Sequence, residues 1–137
     1  MNNTTLTAEK VLDQVEKLCQ VLRTNYQSYC IQSHRRWIEG GHDETGYHQK
    51  QIDNLCEGED LDDFIYEKGR RYAKVIHVTK GGSRSAHLFV DLTNGDCYKA
   101  ASWKAPAKHV RYNLLNDQSR TEMFRRADWA GSYLYLR

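Results

Sequence analysis

An amphipathic segment over residues 7–39 sets the strongest limit on the architecture. No Pro or Gly interrupts it, Thr7 is a suitable N-cap, and Gly40-Gly41 supplies a stop signal. Apolar residues recur along it at three- and four-residue spacing, namely Val11, Leu12, Val15, Leu18, Cys19, Leu22, Tyr26, Tyr29, Cys30 and Trp37. The pattern predicts one long helix with a broad apolar stripe.

The length of this helix requires more than one packing partner. At 1.5 Å per residue it would be about 50 Å long, which exceeds what a small sheet can cover. The remaining stripe has to pack either on the helical segment near residues 47–56 or on the same helix of a second copy. We favour intramolecular packing and keep a homo-dimer as the alternative, because the heptad spacing ends at Asn25.

The second half of the chain is typical of an antiparallel sheet. The acidic run at residues 57–63 is expected to start a short helix that ends near Gly69, since acids favour helix N-termini. Strand-forming runs follow at residues 71–79, 86–91 and 97–103, separated by Gly81-Gly82-Ser83 and by the hairpin signal Asn94-Gly95. Pro106 is expected to end the third strand.

The C-terminal region is predicted to complete an α+β fold. Residues 117–126 form a further short helix in this interpretation, and residues 129–136 form an aromatic segment that packs on the sheet. The predicted fold class is α+β, with a long N-terminal helix, short helices, a three-stranded antiparallel meander and a helical and aromatic C-terminal segment.

Charge divides the chain into two parts. Residues 1–67 carry 6 Lys+Arg against 13 Asp+Glu, whereas residues 68–137 carry 14 against 5, so the net charges are −7 and +9. We therefore predict an acidic helical part at residues 1–68 and a basic sheet module at residues 69–137. A basic module rich in aromatic residues is a candidate surface for partners that carry phosphate.

Composition narrows the class of protein. A chain of 137 residues is long enough for one ordinary core. We expect no membrane partner, because no apolar run approaches the roughly 18 residues of a membrane helix and the N-terminus lacks the pattern of a signal peptide. The four cysteines form no Cys-x-x-Cys pair and are expected to stay reduced in the cytoplasm.

Cations interleave with aromatic rings in the basic part, as nucleic-acid binding requires. Cations pair with phosphates, and flat rings stack on bases. Strand alternation predicts Lys99 and Trp103 on one face and Tyr98 on the other. The predicted phosphate-binding residues are Arg70, Arg71, Lys74, Lys80, Arg84, Lys99, Lys104, Lys108 and Arg111, and the predicted stacking residues are Tyr98 and Trp103.

Enzymatic and metal signatures are weak. His77-Val78-Thr79 matches the His-x-Thr pattern of two-histidine phosphoesterases, but no second His-x-Thr exists. Cys30 and His34, with His42, His48 and Cys56 downstream, match no standard zinc spacing. We therefore expect no catalytic residue, no metal and no cofactor.

Four blocks of the basic part resemble a known group of proteins. They read SRSAHLFVD (83–91), NGDCYKAASWKAPAK (94–108), VRYNL (110–114) and DWAGSYLYLR (128–137). The stretch over residues 70–137 is similar to small uncharacterised proteins encoded by tailed bacteriophages. The resemblance implies expression in the cytoplasm of the bacterial host and favours small accessory functions, but it implies no catalytic or binding residue.

The sequence predicts a non-enzymatic phage accessory protein that binds nucleic acid through the basic, aromatic face of its sheet. The alternative is an inhibitor of host defence, which either sequesters a nucleotide signal in a pocket or docks a host defence protein. A nucleotide-processing enzyme is the third hypothesis.

Overall fold

The structure, a computed structural model, describes residues 3–136, with side chains from Thr5 onward. Three α-helices frame an antiparallel sheet. The helices are α1 (Asn3–Glu39), α2 (Tyr47–Cys56) and α3 (Asp117–Arg126), and a 3₁₀ turn spans Ser132–Leu134. Helix α1 begins before Thr7, so this residue is not its N-cap. None of the described helices is long and apolar enough to cross a membrane.

The sheet contains five strands rather than the predicted three. They are β1 (Asp63–Lys68), β2 (Tyr72–Val78), β3 (Arg84–Asp91), β4 (Asp96–Lys99) and β5 (Tyr112–Asn113). They lie in the order β1-β2-β3-β4-β5, and each pair of neighbours is antiparallel. The predicted α+β class and meander are therefore confirmed, and the strand count was wrong because β1 and the two-residue β5 were not recognised.

Strand β1 replaces the helix that the acidic run predicted. Phe64 lies opposite His77 on β2, and its side chain is fully buried. Arg23 on α1 donates from Nε to the Asp63 carboxylate over 2.7 Å and from Nη2 to the Phe64 carbonyl over 2.6 Å. Pairing with β2 and these contacts with α1 outweigh the local preference of the acids for a helix N-terminus.

Helix α1 covers one face of the sheet, which we call the inner face. Its residues Val11, Val15, Leu18 and Leu22 are fully buried in the main core. The sheet contributes to this core residues of all its first four strands, namely Phe64, Ala73, Val75, Leu88, Val90 and Cys97. Tyr133 and Leu134 of the C-terminal segment join the same core, so the terminal aromatic segment packs as predicted.

Strand β3 contains a bulge at His87. Val75 of β2 lies opposite Leu88, whereas the next residue, Ile76, lies opposite Ala86. Strand β3 therefore has one residue more than β2 at this point. An extra residue locally changes the alternation of a strand and re-aims a side chain, and His87 here contacts the ring of Phe64 at a centroid distance of 5.5 Å.

The second half of α1 packs on α2, which is the intramolecular partner that the sequence favoured. Gln27 donates from Nε2 to the Leu55 carbonyl over 2.7 Å, and Ile52 and Leu55 are buried. Further along, His34 and His48 approach each other with 2.8 Å between their Nδ1 atoms. These contacts place α2 on the part of α1 that lies beyond the sheet, where Tyr29 and Trp37 of the stripe remain about half exposed.

The packing of α1 generates a stability prediction. We expect Leu18→Ala to lower the free energy of unfolding by about 2–5 kcal/mol, because it removes a fully buried side chain and leaves a cavity. Gln20→Ala, on the exposed side of the same helix, is the matched control and should change it by less than about 0.5 kcal/mol. Urea unfolding followed by circular dichroism measures both variants; equal effects would contradict this placement of α1.

The histidine pair generates a pH prediction. An Nδ1–Nδ1 hydrogen bond needs one donor and one acceptor, so it cannot form when both rings are protonated. Burial, together with the neighbouring His48, lowers the pKa of His34 against the weaker opposing effect of Asp43. The stability that the pair contributes is therefore present above pH 6.5, the ordinary pKa of histidine, and is lost as the pH falls below it.

We expect the urea concentration at the unfolding midpoint to decrease when the pH is lowered from 7.5 to 5. The decrease should be smaller in His48→Gln than in the wild type. The comparison between the two proteins cancels the contributions of other titrating groups. An identical pH dependence in both would show that the pair contributes nothing.

Candidate nucleic-acid interface

The outer face of the sheet, opposite α1, carries a lateral row of four side chains. Glu67, Lys74, Phe89 and Tyr98 lie on β1, β2, β3 and β4, and each is directly opposite the next. Such neighbours have Cβ atoms about 4.5–5.5 Å apart. Tyr72 lies beside the row, with its ring centroid 6.0 Å from that of Phe89 and 6.3 Å from that of Tyr98, in edge-to-face arrangements. Two charged groups thus lie next to two aromatic rings in this row.

A pocket of about 260 Å³ opens beside this row, at the turn between β1 and β2. We call it the basic pocket, because five cations and a single carboxylate, Glu67, line it. The cations are Lys68, Arg70, Arg71, Lys74 and Lys104. The structure therefore brings together the predicted residues Arg70, Arg71, Lys74 and Lys104, although Lys104 is at least 30 positions away from the others.

Arg71 is held in place at the mouth of the basic pocket. Its Nε donates to Asp91 Oδ2 over 3.2 Å, and its guanidinium carbon lies 5.2 Å from the centroid of Tyr72. Burial raises the pKa of the Asp91 carboxyl, but hydrogen bonds from the hydroxyl and amide of Thr93 and from Arg71 outweigh burial, so the net pKa is lowered. Asp91 is thus ionised at neutral pH, and Arg71 keeps an exposed guanidinium beside it.

Trp103 stands above the outer face between two cations. Lys74 Nζ lies 3.7 Å from the centroid of its ring, and the guanidinium carbon of Arg84 lies 5.7 Å from it. Cation–π contacts at such distances orient an aromatic ring. Trp103 is 38% exposed, so part of its surface remains available to a flat ligand. Arg84 also pairs with Glu67 over 2.7 Å, which neutralises the single carboxylate of the basic pocket.

A compact loop holds Trp103 in this position. The amide of Ala101 donates to the Ala105 carbonyl over 3.0 Å, and Ala107 donates to Lys99 over 2.7 Å. Ala100 and Pro106 form an isolated bridge beyond the end of β4. These contacts close the loop that follows β4 and fix the position of Trp103 within it.

The predicted shared face of Lys99 and Trp103 does not exist. Strand β4 ends at Lys99, and the loop that follows reverses the expected alternation. Lys99 lies opposite Leu88 and reaches towards Tyr135, with Nζ 4.9 Å from the ring centroid. Trp103 instead shares the outer face with Tyr98 and Lys74.

Three further predicted cations lie away from the outer face. Lys80 is in the turn between β2 and β3, where its amide donates to Asp62 over 3.0 Å. Arg111 donates from Nε to the Leu134 carbonyl over 2.8 Å and from Nη1 to the carbonyls of Lys108 and His109. Arg111 thus ties the C-terminal segment to the body, and Lys108 is exposed on that side of the molecule.

A second cavity, of about 330 Å³, lies on the other side of the sheet, between β2, β3 and the C-terminal segment. We call it the inner cavity. Its polar lining comes from residues that are distant in sequence and include a lysine and two histidines, namely His77, Ser85, His87, Lys99 and Tyr135. Sequence reasoning discounted His77 because no second His-x-Thr was found, and it missed His87.

The two histidines of the inner cavity have different partners. His77 Nε2 lies 2.7 Å from Asp62 Oδ2, and its ring stacks on Phe64 at 4.6 Å. His87 Nε2 lies 2.8 Å from the hydroxyl of Tyr133. Burial, with a smaller effect of His77, lowers the pKa of His87 to about 4, so His87 is neutral at pH 7. Only the bulge at His87 in the pairing of β2 with β3, which no local pattern specifies, could have indicated this arrangement.

The residues considered for zinc do not form a metal site. Within residues 3–136, no three His, Cys, Asp or Glu side chains are grouped so that they could hold a metal ion. His34 and His48 instead pair with each other, and Trp37 stacks on His48 at 5.6 Å. The four cysteines are free.

Comparisons with known proteins give a family and no activity. No curated protein and no solved structure matches the chain. The model of one family, described as a family of unknown function (DUF7717), matches residues 1–136. This match extends over α1 and α2 as well as over the sheet and the outer face. The chain therefore belongs to the DUF7717 family.

Proposed function

We propose that this protein binds single-stranded nucleic acid through the outer face of its sheet. The observation that carries the proposal is the convergence of the basic pocket and Trp103 on this face. The pocket brings five cations within one small volume against a single carboxylate, and Arg84 engages that carboxylate. An excess of cations beside an exposed ring matches the needs of a phosphate backbone and a stacked base.

Single strands fit this surface better than a duplex. The basic pocket is a cleft of about 260 Å³ rather than a long stripe, so it accommodates a phosphate and its neighbouring sugar more readily than a helical backbone. The exposed part of Trp103 requires an unstacked base as its partner. Tyr72 and Tyr98 extend the aromatic surface beside it and offer a second stacking position.

A small nucleotide is the second candidate ligand. The same enclosure that disfavours a duplex would let the basic pocket take up the phosphates of one nucleotide, with Tyr72 as a flat wall. Binding of a single nucleotide in this pocket corresponds to the alternative in which the protein sequesters a nucleotide signal of host defence. As a phage-encoded accessory protein, the chain would act in the cytoplasm of the infected bacterium in either case.

Removing cations of the basic pocket should weaken binding and its salt dependence together. We expect Lys74→Gln with Lys104→Gln to reduce the slope of log K against log salt concentration by about two, since each phosphate contact contributes about one. The measurement is fluorescence anisotropy with labelled single-stranded DNA and RNA between low and moderate salt. Lys50→Gln, an exposed lysine on α2, is the matched control and should leave the slope unchanged.

The same titration includes mono- and dinucleotides, and it separates the two candidate ligands. Tight binding of a nucleotide with no binding of oligonucleotides would favour sequestration. Absence of oligonucleotide binding at low salt would overturn the nucleic-acid proposal.

Trp103 should contribute by stacking. We expect Trp103→Ala to weaken binding of a single strand by about 1–3 kcal/mol, or about 5- to 150-fold. Trp103→Phe should restore much of the affinity, because it keeps a ring between Lys74 and Arg84. A loss that Trp103→Phe repeats in full would indicate that the indole serves another purpose than stacking. Anisotropy at fixed salt measures both variants.

A further inference from the structure

We propose that the inner cavity is an acid–base site that cleaves single-stranded RNA, with His77 and His87 as paired proton donor and acceptor. The inference rests on the proposed function, because the outer face is the surface that would deliver the strand. It goes beyond binding by assigning a reaction to the opposite side of the sheet.

A groove connects the outer face to the inner cavity. Its lining includes Arg84 and Trp103 at one end, and it shares Ser85, Ala86 and Ala100 with the inner cavity. The groove exists because β4 is short. It pairs only with Leu88, Phe89 and Val90, so the first residues of β3 have no β4 neighbour. A strand held at Trp103 can therefore pass around this open edge of the sheet.

His77 is oriented as the proton donor. Asp62 Oδ2 holds its Nε2 at 2.7 Å, and the other oxygen of Asp62 accepts from the amide of Lys80. A carboxylate partner fixes the orientation of the ring and the nitrogen that faces the carboxylate. The stacked ring of Phe64 restricts rotation further. The remaining nitrogen, Nδ1, is then free to give a proton to a ligand in the inner cavity.

His87 is suited to accept a proton. The bulge in β3 turns its ring towards Phe64, the same ring on which His77 stacks, so both histidines lie around one side chain. Burial keeps His87 neutral at pH 7. When its Nε2–H donates to the oxygen of Tyr133, Nδ1 carries a lone pair on the side of Gly131, which also lines the inner cavity. In the proposed reaction, His77 therefore acts as the donor and His87 as the acceptor.

Lys99 supplies positive charge in the same cavity. It is half-buried, and its ammonium group lies 4.9 Å from the centroid of Tyr135 at the rim. A fixed cation beside a reacting phosphate stabilises the charge that develops on its oxygens in the transition state. Ser85, opposite His77 on β3, places a hydroxyl between the groove and the two histidines.

The reaction is an internal transesterification whose nucleophile belongs to the RNA. His87 takes the proton of a ribose 2′-hydroxyl, and the 2′-oxygen forms a bond to the adjacent phosphorus. The bond from phosphorus to the 5′-oxygen of the next nucleotide breaks, and His77 gives its proton to that oxygen. The products are a 2′,3′-cyclic phosphate and a free 5′-hydroxyl. The step changes no oxidation state and needs no co-reactant. DNA lacks the nucleophile and should not react.

The experiment compares cleavage and binding on the same proteins. Cleavage is followed with a short single-stranded RNA labelled with a fluorophore and a quencher, with the DNA of the same sequence, and with the dinucleoside phosphate UpA. Mass spectrometry identifies the cyclic phosphate. Binding is measured in parallel with RNA whose 2′-hydroxyls are replaced by hydrogen.

The variants are His77→Asn, His87→Asn and Lys99→Met, all purified in parallel with the wild type. His109→Asn is the matched control, because His109 is exposed and its φ of 72° suits asparagine. We expect each of the histidine variants to lose at least about 100-fold in cleavage rate, with binding of the modified RNA unchanged. Lys99→Met, farther from the core, tests the site if His87→Asn fails to fold.

Three outcomes decide the proposal. Cleavage of RNA and UpA that disappears in these variants and persists in His109→Asn supports it. Binding without cleavage, or cleavage that all variants retain, overturns it and leaves the proposed binding intact. Cleavage of UpA by the wild type without binding of longer strands would support the inner cavity as the site and overturn the role of the outer face.

Discussion

One layer of helix covers one side of a five-stranded sheet, and the other features of the molecule follow from this constraint. The apolar stripe of α1 buries the inner face, so this side resembles an ordinary core. Within residues 3–136, no helix lies on the outer face, which is covered by its own side chains. Phe89 and Ile76 are buried there, outside the main core. Long amphipathic side chains suit such a surface because their stems cover apolar area while their charged heads remain in water.

The boundary between the acidic and basic halves falls inside the sheet. Strand β1 belongs to the acidic half, and it brings single carboxylates to the cations and histidines of the other half. Glu67 meets Arg84 on the outer face, while Asp62, just before β1, meets His77 on the inner side. The pair of Glu67 with Arg84 is exposed, and such surface pairs contribute little to stability. The effect of the two pairs is to orient a guanidinium beside Trp103 and an imidazole beside the inner cavity.

Elements with strong local signals could be predicted, and contacts between distant segments could not. The hydrophobic period of α1 and the Asn94-Gly95 turn specify a helix and a hairpin without help from the rest of the chain. Strand β1 was misread as a helix because its acids favour a helix N-terminus locally, whereas its pairing with β2 depends on the whole fold. The sequence alone identifies the candidate cations. It does not show that Lys99 and Arg111 lie away from the outer face, because their placement depends on where β4 ends.

The short β4 and the bulge in β3 act together at one end of the sheet. If β4 continued to Trp103 as a regular strand, it would pair with the start of β3, and the groove beside Arg84 would be closed. If β3 lacked its extra residue, regular alternation would direct His87 and Leu88 to opposite faces, and they could not both approach the core. Two local departures from regular pairing therefore open the edge of the sheet and turn a histidine towards it. Bulges are common at sheet edges and next to functional sites, and both irregularities lie where we propose that a strand passes the edge.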